Sequence, residues 1–341
     1  MTTIHDVAKL AGVAPITVSR VINNSGYASK ATRKRVETAA AELGYVQNRL
    51  ARSLRTKRTN AIALVLTDIT NPFFTTVARG VEDAASEAGY TVTYCNTDEN
   101  EVKQQKNLDL LIQQQVDGIL LVPAYSSADA IQYIQNHNTP VVILDRRILD
   151  AKADSVRCDS EKGAYELVRL LLELGHRHIA MLGGPKGAST ADDRLSGYRR
   201  AMAEAGLHDV THWVQFGSFN QASGYKMAMK AISSTTPPTA IFAANNFIAI
   251  GAMKALQNCG LSVPEDVALV GFDDLPPALV TFPFLTVASQ PAYEMAQKAT
   301  HLLLSRIEGN GPDDIREIIL PTELIVRRSS GPAINGLNQA K

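Results

Sequence analysis

The sequence lacks long apolar runs and has few cysteines, and both absences exclude whole classes of protein. Nowhere in its 341 residues do about eighteen apolar residues follow one another, so no transmembrane helix is predicted. Its three cysteines, Cys95, Cys158 and Cys259, lie far apart and match no disulfide, metal or redox spacing. The first residues are polar or charged rather than an apolar signal segment. We therefore expect a cytoplasmic protein with no membrane partner, no metal site and no cofactor.

A net charge is also absent, but the balance hides a strong asymmetry. Lys+Arg and Asp+Glu each number 34 over the whole chain. Residues 1–60 nevertheless contain eleven Lys and Arg residues against three acidic residues, so the remainder is acidic by the same margin. A basic N-terminal segment on an acidic body predicts a polyanionic partner for that segment alone. We expect the protein to be associated with the nucleoid.

Apolar spacing predicts three short helices in residues 1–46. The first runs from Ile4 and is closed by Gly12, the second begins near Pro15, and the third runs from about Lys30 to Leu43. Two short helices around a tight turn, completed by a third, constitute a helix-turn-helix. A small helical bundle with a basic surface would show the same pattern, so spacing alone leaves both interpretations open.

Two stretches, TTIHDVAKLAGVAPITVSRVINN and SKATRKRVETAAAELGY, resemble the head of the LacI/GalR repressor family, and the match runs across residues 3–58. The resemblance implies a DNA-binding domain whose second helix enters the major groove of an operator. Pro15, Ile16 and Arg20 match the base-reading positions, where Arg20 suits guanine and Ile16 suits a thymine methyl. The residues that match phosphate-contacting positions are Thr3, Thr17, Ser19, Asn23, Ser29 and Thr32. Ala14 departs from the family, since a Ser or Thr usually caps this helix and contributes about 1 kcal/mol.

Residues 47–60 are predicted to form a hinge helix and linker. Their ARSL motif resembles the family's hinge helix, which folds when two copies meet in the minor groove. Leu54 matches the apolar wedge that kinks the central base step. The family residues that line the groove beside this wedge correspond to Asn48, Ala51 and Arg52. Because the wedge needs a second copy, we expect a homodimer on a pseudo-palindromic operator.

From residue 61 onward, apolar runs alternate with amphipathic helices, which predicts an α/β body of two doubly wound parallel-sheet lobes. Similarity to periplasmic sugar-binding proteins implies three crossovers between the lobes and a ligand cleft. The effector-binding and dimerisation domain is expected over 61–330, with a tail over 331–341. Lobe 1 is assigned about 61–160 and 290–320, and lobe 2 about 161–289 and 321–330. Predicted strands are Ala61–Leu66, Thr91–Cys95, Gly118–Val122, Val141–Leu144, His178–Leu182, Thr239–Ala243, Val267–Val270 and one near Leu285–Ala288.

Polar and aromatic residues follow these strands, where ligands bind in open α/β sheets. Taken singly, each has a plainer interpretation as a core residue, a helix cap or a salt-bridge partner. Together they resemble the ribose-binding subset of the superfamily, with Arg194 expected at the end of a long loop. The predicted ligand-binding residues are Asn71, Phe73, Phe74, Asp145, Arg146, Arg194, Phe219, Asn245, Asp273 and Gln290.

The resemblance therefore implies a transcriptional regulator, a repressor of sugar-utilisation genes that a pentose-like sugar or related polyol releases from DNA. The alternative is a purine- or nucleoside-responsive regulator of the corepressor type. An enzyme is not expected and no catalytic residue is predicted, because GGPKG lacks phosphate-loop spacing and His176 and His178 have no ligand cluster beside them. A transport receptor would explain the body but not the basic head. The effector, its sign of action and the operator stay open.

Overall fold

A computed structural model describes residues 2–45, 58–125, 127–276, 280 and 282–332. The chain divides between Thr59 and Asn60 into two compact units, here called the head and the body. The hinge predictions for Asn48, Ala51, Arg52 and Leu54 fall outside the described residues. Within the described ranges, no helix is long and apolar enough to cross a membrane.

The head consists of three helices around a small apolar core. Its helices are α1 Ile4–Ala11, α2 Pro15–Ile22 and α3 Lys30–Glu42. Each helix contributes one fully buried valine to the core, namely Val7, Val18 and Val36. Gly12 ends α1 with φ +64°, a left-handed conformation that glycine adopts without steric cost. The predicted helix-turn-helix is thus confirmed.

The first lobe of the body contains a six-stranded parallel sheet. Its strands are β1 Ala61–Leu66, β2 Thr91–Asn96, β3 Gly118–Leu121, β4 Val141–Leu144, β5 Asp154–Cys158 and β11 Glu317–Leu320. They are arranged in the order β2-β1-β3-β4-β5-β11. Its helices are α4 Pro72–Glu87, α5 Glu101–Gln113, α6 Asp129–Asn136 and α11 Ala292–Glu308. Strand β1 contributes to both core clusters of the lobe, with Ile62, Leu64 and Leu66 in one and Ala63 and Val65 in the other. Because both faces of the sheet are covered, every residue of β1 is apolar.

The second lobe repeats this architecture with one antiparallel edge strand. Its strands are β6 Ile179–Gly183, β7 Val214–Phe216, β8 Ala240–Ala243, β9 Ala268–Phe272, β10 Thr286–Ser289 and β12 Glu323–Ile325. They follow the order β7-β6-β8-β9-β10-β12, in which β12 is antiparallel to β10. Its helices are α7 Ser160–Glu173, α8 Ser189–Glu204, α9 Gln221–Ile232 and α10 Asn246–Asn258. Two 3₁₀ turns complete the body, at Thr211–Trp213 and Arg328–Ser330.

The chain passes between the two sheets three times. It leaves the first sheet after β5, returns after β10, and crosses again between β11 and β12. This connectivity confirms the two doubly wound lobes and the three crossovers implied by the resemblance. Parallel strands place their carboxyl ends along one edge of a sheet, which is where ligands bind in this architecture.

Candidate ligand cavity and nucleic-acid interface

Helix α2 of the head exposes the two side chains that best suit contact with base edges. Ile16 is 54% exposed although it is apolar, and Arg20 is also exposed. Residues four apart lie on the same face of a helix, so the two side chains are neighbours. Pro15 is half-buried at the first position of α2, and Ala14 before it makes no side-chain capping bond. The helix therefore begins without the cap that the family usually has.

Two of the predicted phosphate-contacting residues are helix caps in the head. The Thr3 hydroxyl accepts a hydrogen bond from the Asp6 amide at 3.4 Å, and the Thr3 amide donates to the Asp6 carboxylate at 2.8 Å. Ser29 accepts from the amide of Thr32 at 3.2 Å. Such helix N-termini present amide groups and a positive dipole end, which favour phosphate oxygens.

The remaining predicted phosphate contacts lie along α2 and its end. Thr17, Ser19 and Asn23 are all half-buried. The Asn23 amide donates to the carbonyl and the hydroxyl of Ser19, at 2.7 and 3.2 Å. These bonds fix the polar side of α2, while the DNA contacts themselves stay predictions.

In the body, all ten predicted ligand residues line a single cavity of about 420 Å³. Residues after β1, β2 and β4 supply the first-lobe wall, and residues of the second lobe supply the opposite wall. Gln290 follows β10, where the chain crosses back to the first lobe. A cavity of this volume is within the range of small-molecule sites.

Arg194 reaches the cavity from a helix, so the prediction that it lies at the end of a long loop is wrong. It lies in the second turn of α8, which begins at Ser189. The preceding residues of α8 are small or charged, and the first large apolar residue of this helix is Leu195. Apolar periodicity therefore places the start of the helix too late.

Two buried aspartates occupy equivalent positions in the two lobes. Asp145 follows β4 and Asp273 follows β9, and both have left-handed backbones, with φ +67° and +69°. Burial raises the pKa of Asp145 to about 6, although Arg146 and Arg194 act in the opposite direction. Burial also raises the pKa of Asp273, against the attraction of Arg194 and a hydrogen bond from Gln290. Each carboxylate is therefore a poorly hydrated hydrogen-bond acceptor aimed into the cavity.

The two cavity arginines have different partners. Arg194 donates from Nη1 to the carbonyl of Ala244 at 2.7 Å and stacks 3.8 Å from the ring centre of Phe272. Arg146 is paired with Glu99, at 2.7 Å through Nη1 and 2.5 Å through Nη2. The first arginine is held by neutral groups, and the second is neutralised by a carboxylate.

Amide side chains connect the two lobes beside the cavity. Asn71 and Asn246 exchange hydrogen bonds at 3.1 and 3.0 Å, and the Asn71 oxygen also caps α4 by accepting from the Phe73 amide. Asn245 lines the cavity and caps α10 by accepting from the amide of Ile248 at 2.8 Å. Asn246 thus supports the site through Asn71, while Asn245 faces the cavity.

Three phenyl rings form the apolar part of the wall. Phe73 and Phe74 pack edge to face, with ring centres 5.0 Å apart. The third ring, that of Phe219, lies so close to Gly184 that a β-carbon there would stand 2.2 Å from a ring atom. Gly184 is therefore required for the close approach of this ring, and not for a phosphate loop.

Unsatisfied polar atoms are concentrated in this cavity. Among the described residues, six buried side-chain nitrogen or oxygen atoms have no hydrogen-bond partner, and five of them belong to cavity residues. The five atoms are Thr67 Oγ1, Asp145 Oδ1, Arg146 Nε, Arg194 Nε and Gln290 Oε1. Buried polar groups are almost always paired in native proteins, so such a cluster indicates a ligand that both donates and accepts hydrogen bonds.

Sequence reasoning missed several residues of the cavity wall. They are Thr67, Thr70, Asp98, Glu99, Thr190, Ser218 and Asn220, and Asp68 after β1 also lines the wall. Most of them follow the same strands as the predicted residues, so the strand-end rule was available to find them. Asp98 and Glu99 follow β2, and their polar sequence looks like an ordinary solvated turn.

The fold and the cavity together define a class of protein: a helix-turn-helix head carried by a two-lobed ligand-binding body. Residues 3–48 match the family described as bacterial regulatory proteins, lacI family. Residues 59–328 match the family described as periplasmic binding proteins and sugar binding domain of LacI family. The chain therefore belongs to the LacI family of DNA-binding transcriptional regulators.

Similar proteins share this organisation over nearly the whole chain. The ribose operon repressor of Halalkalibacterium halodurans is 38% identical over 99% of this chain and 100% of its own length. The HTH-type transcriptional repressor PurR of Photobacterium profundum is 34% identical over 96% and 98%. The crystal structure of the lac repressor dimer bound to operator and the anti-inducer ONPF has a TM-score of 0.85 at 27% identity, covering 96% of this chain and 99% of that one.

Proposed function

We propose that this LacI-family regulator represses sugar-utilisation genes and leaves its operator when a pentose-like sugar binds between the lobes. The observation that carries the proposal is the convergence of ten ligand-type residues on one cavity of about 420 Å³. Its unpaired atoms include both donors and acceptors, which match vicinal hydroxyl groups. The phenyl rings match the C–H faces of a sugar ring. The relative named ribose operon repressor supports the same ligand class.

On this proposal the protein acts as a cytoplasmic homodimer bound to the nucleoid. The solved lac repressor dimer on operator supports two copies per operator. Two copies of Leu54 would then enter the minor groove, while Ile16 and Arg20 of each head read one half-site. The protein performs no catalysis in this scheme, since ligand binding alone supplies the free energy of the switch.

The contacts between the lobes suggest how the ligand is coupled to DNA. The side chains of Asn71 and Asn246 bridge the lobes. Arg147 of the first lobe makes a second bridge: its guanidinium pairs with Asp193 at 2.7 Å, and its backbone amide donates to the Ser189 hydroxyl at 2.8 Å. A ligand that touches both lobes favours the arrangement in which these bridges are formed. Coupling between two sites of this kind is typically worth about 1–3 kcal/mol.

Calorimetric titration against pentoses, hexoses, polyols, nucleosides and purine bases tests the ligand class directly. We expect binding to a pentose or close relative, and loss of that binding in Phe219→Ala, which removes one wall. Fluorescence anisotropy on an operator recovered by in vitro selection should then show release by the same sugar. The Phe219→Ala variant should bind that operator normally and no longer respond. Binding to a purine base alone would contradict the proposal.

The second candidate is a regulator of the corepressor type that binds a purine or nucleoside. Two observations favour it: the three phenyl rings suit a flat base, and the relative named PurR covers almost the full chain. In that case the ligand would tighten DNA binding. The anisotropy measurement separates the two candidates, because a sugar inducer should lower the affinity for the operator and a purine corepressor should raise it.

A further inference from the structure

The turn between β2 and α5 has an unusual backbone that points into the cavity. Asp98 and Glu99 have φ +53° and +56°, so two consecutive residues with side chains adopt the left-handed conformation. Such conformations are rare outside glycine and persist where the surroundings hold them. Here Asp98 accepts from Asn96 and Lys103, both at 2.5 Å, and the Asn100 side chain caps α5 by accepting from the Lys103 amide. This network fixes the turn and directs Glu99 toward the cavity.

Glu99 occupies the terminal nitrogens of Arg146. Both carboxylate oxygens accept from the guanidinium, and Nη1 also donates to the carbonyls of Pro123 and Ala124 at 2.8 and 3.0 Å. The Arg146 side chain is 4% exposed and that of Glu99 is 27% exposed. An arginine fork is the usual group for holding a phosphate or carboxylate in two parallel hydrogen bonds. In this cavity the fork is already filled, and only Nε of Arg146 is left without a partner.

The charge of the cavity wall also disfavours an anionic ligand. Five carboxylates and two guanidinium groups line it. Asp98 is paired with Lys103, and setting it aside still leaves four carboxylates against two guanidiniums. The negative charges of these carboxylates repel an anionic ligand in the cavity. This repulsion is stronger in a buried site than in water.

We propose that Glu99 is a specificity-determining residue that restricts the cavity to uncharged ligands and excludes phosphorylated or carboxylated sugars. It does so by filling the Arg146 fork and by adding a negative charge to the wall. The inference rests on the proposed function only in taking this cavity as the effector site. It does not depend on which neutral ligand binds.

The test compares a neutral sugar with its phosphate ester on the full chain. Calorimetry is performed with D-ribose and D-ribose 5-phosphate on the wild type, Glu99→Gln and Glu101→Gln. Glu101 is a matched control, because it is an exposed acid two residues away that does not line the cavity. We expect the wild type and Glu101→Gln to bind D-ribose and to discriminate against the phosphate. Glu99→Gln should reduce that discrimination by about tenfold or more. Equal binding of both compounds by the wild type, or unchanged discrimination in Glu99→Gln, would overturn the proposal.

A second probe keeps the inference separable from the sugar assignment. If D-ribose does not bind, the pentose proposal fails, and inorganic phosphate then tests Glu99 alone. Thermal unfolding in phosphate is compared with unfolding in chloride at equal ionic strength, for the same three proteins. A larger phosphate-dependent rise of Tm in Glu99→Gln than in the other two supports the inference. The same rise in all three overturns it.

Discussion

The Asp145→Asn substitution is expected to stabilise the ligand-free body while removing effector binding. In the wild type, burial raises the pKa of Asp145 from 3.8 to about 6, and this net value already includes the attraction of Arg146 and Arg194. One pKa unit is worth about 1.4 kcal/mol, so the ionised carboxylate destabilises the folded state at neutral pH by about 3 kcal/mol. Asparagine has nearly the same shape and no charge, and therefore avoids this penalty.

The pH dependence follows from the sign of the shift. The folded-state pKa lies above the unfolded value, so the folded state binds the proton more tightly. That favourable contribution is fully present below pH 3.8 and is lost as the pH rises through about 6. At about pH 5 most wild-type Asp145 is already protonated, so the advantage of Asp145→Asn should shrink to about half its value at neutral pH.

Urea unfolding followed by circular dichroism measures this difference at the two pH values. Asp209→Asn is the control, since Asp209 is exposed and its neutralisation should change little at either pH. Calorimetry on Asp145→Asn should show that the sugar no longer binds, because an ionised acceptor has been lost. Equal or lower stability of Asp145→Asn at neutral pH would refute the reasoning from desolvation.

Three further substitutions test other parts of the molecule. Asp154→Ala removes a 2%-exposed carboxylate that Arg306 holds at 2.7 and 2.9 Å, so the free energy of unfolding should fall by about 3 kcal/mol in the same urea titration. Arg147→Ala breaks the half-buried pair with Asp193 between the lobes, and calorimetry should show effector affinity lowered by up to about fivefold. Leu54→Ala should weaken specific operator binding in anisotropy titrations and spare most nonspecific binding at low salt. A uniform loss of both kinds of binding would show that Leu54 is no wedge.

Most of the fold could be predicted because its central strands are buried on both faces. Strands β1 and β4 consist entirely of apolar residues, and their predicted bounds are those observed. Strand β5 was missed, since its Asp154 and Arg157 give it a polar sequence. Both charges are neutralised by distant partners, Asp154 by Arg306 and Arg157 by Glu317. A pairing over about 150 residues leaves no local signal, so periodicity cannot detect such a strand.

In the candidate site too, residues next to an apolar strand could be predicted, and a residue placed by a contact distant in sequence could not. Asp145 and Asp273 were identifiable because each directly follows an apolar strand, and the strand end fixes where the side chain goes. Glu99 follows an edge strand within a polar turn, and only two successive left-handed residues bring it to Arg146. Without that pair, the ten predicted residues combine two guanidinium groups with the carboxylates of Asp145 and Asp273. With it, Arg146 is neutralised by Glu99, which strengthens the preference for the neutral ligand with many hydroxyl groups that the ten residues already predict. The exclusion of charged ligands is therefore set by a residue whose polar turn after β2 looks like an ordinary solvated turn in the sequence.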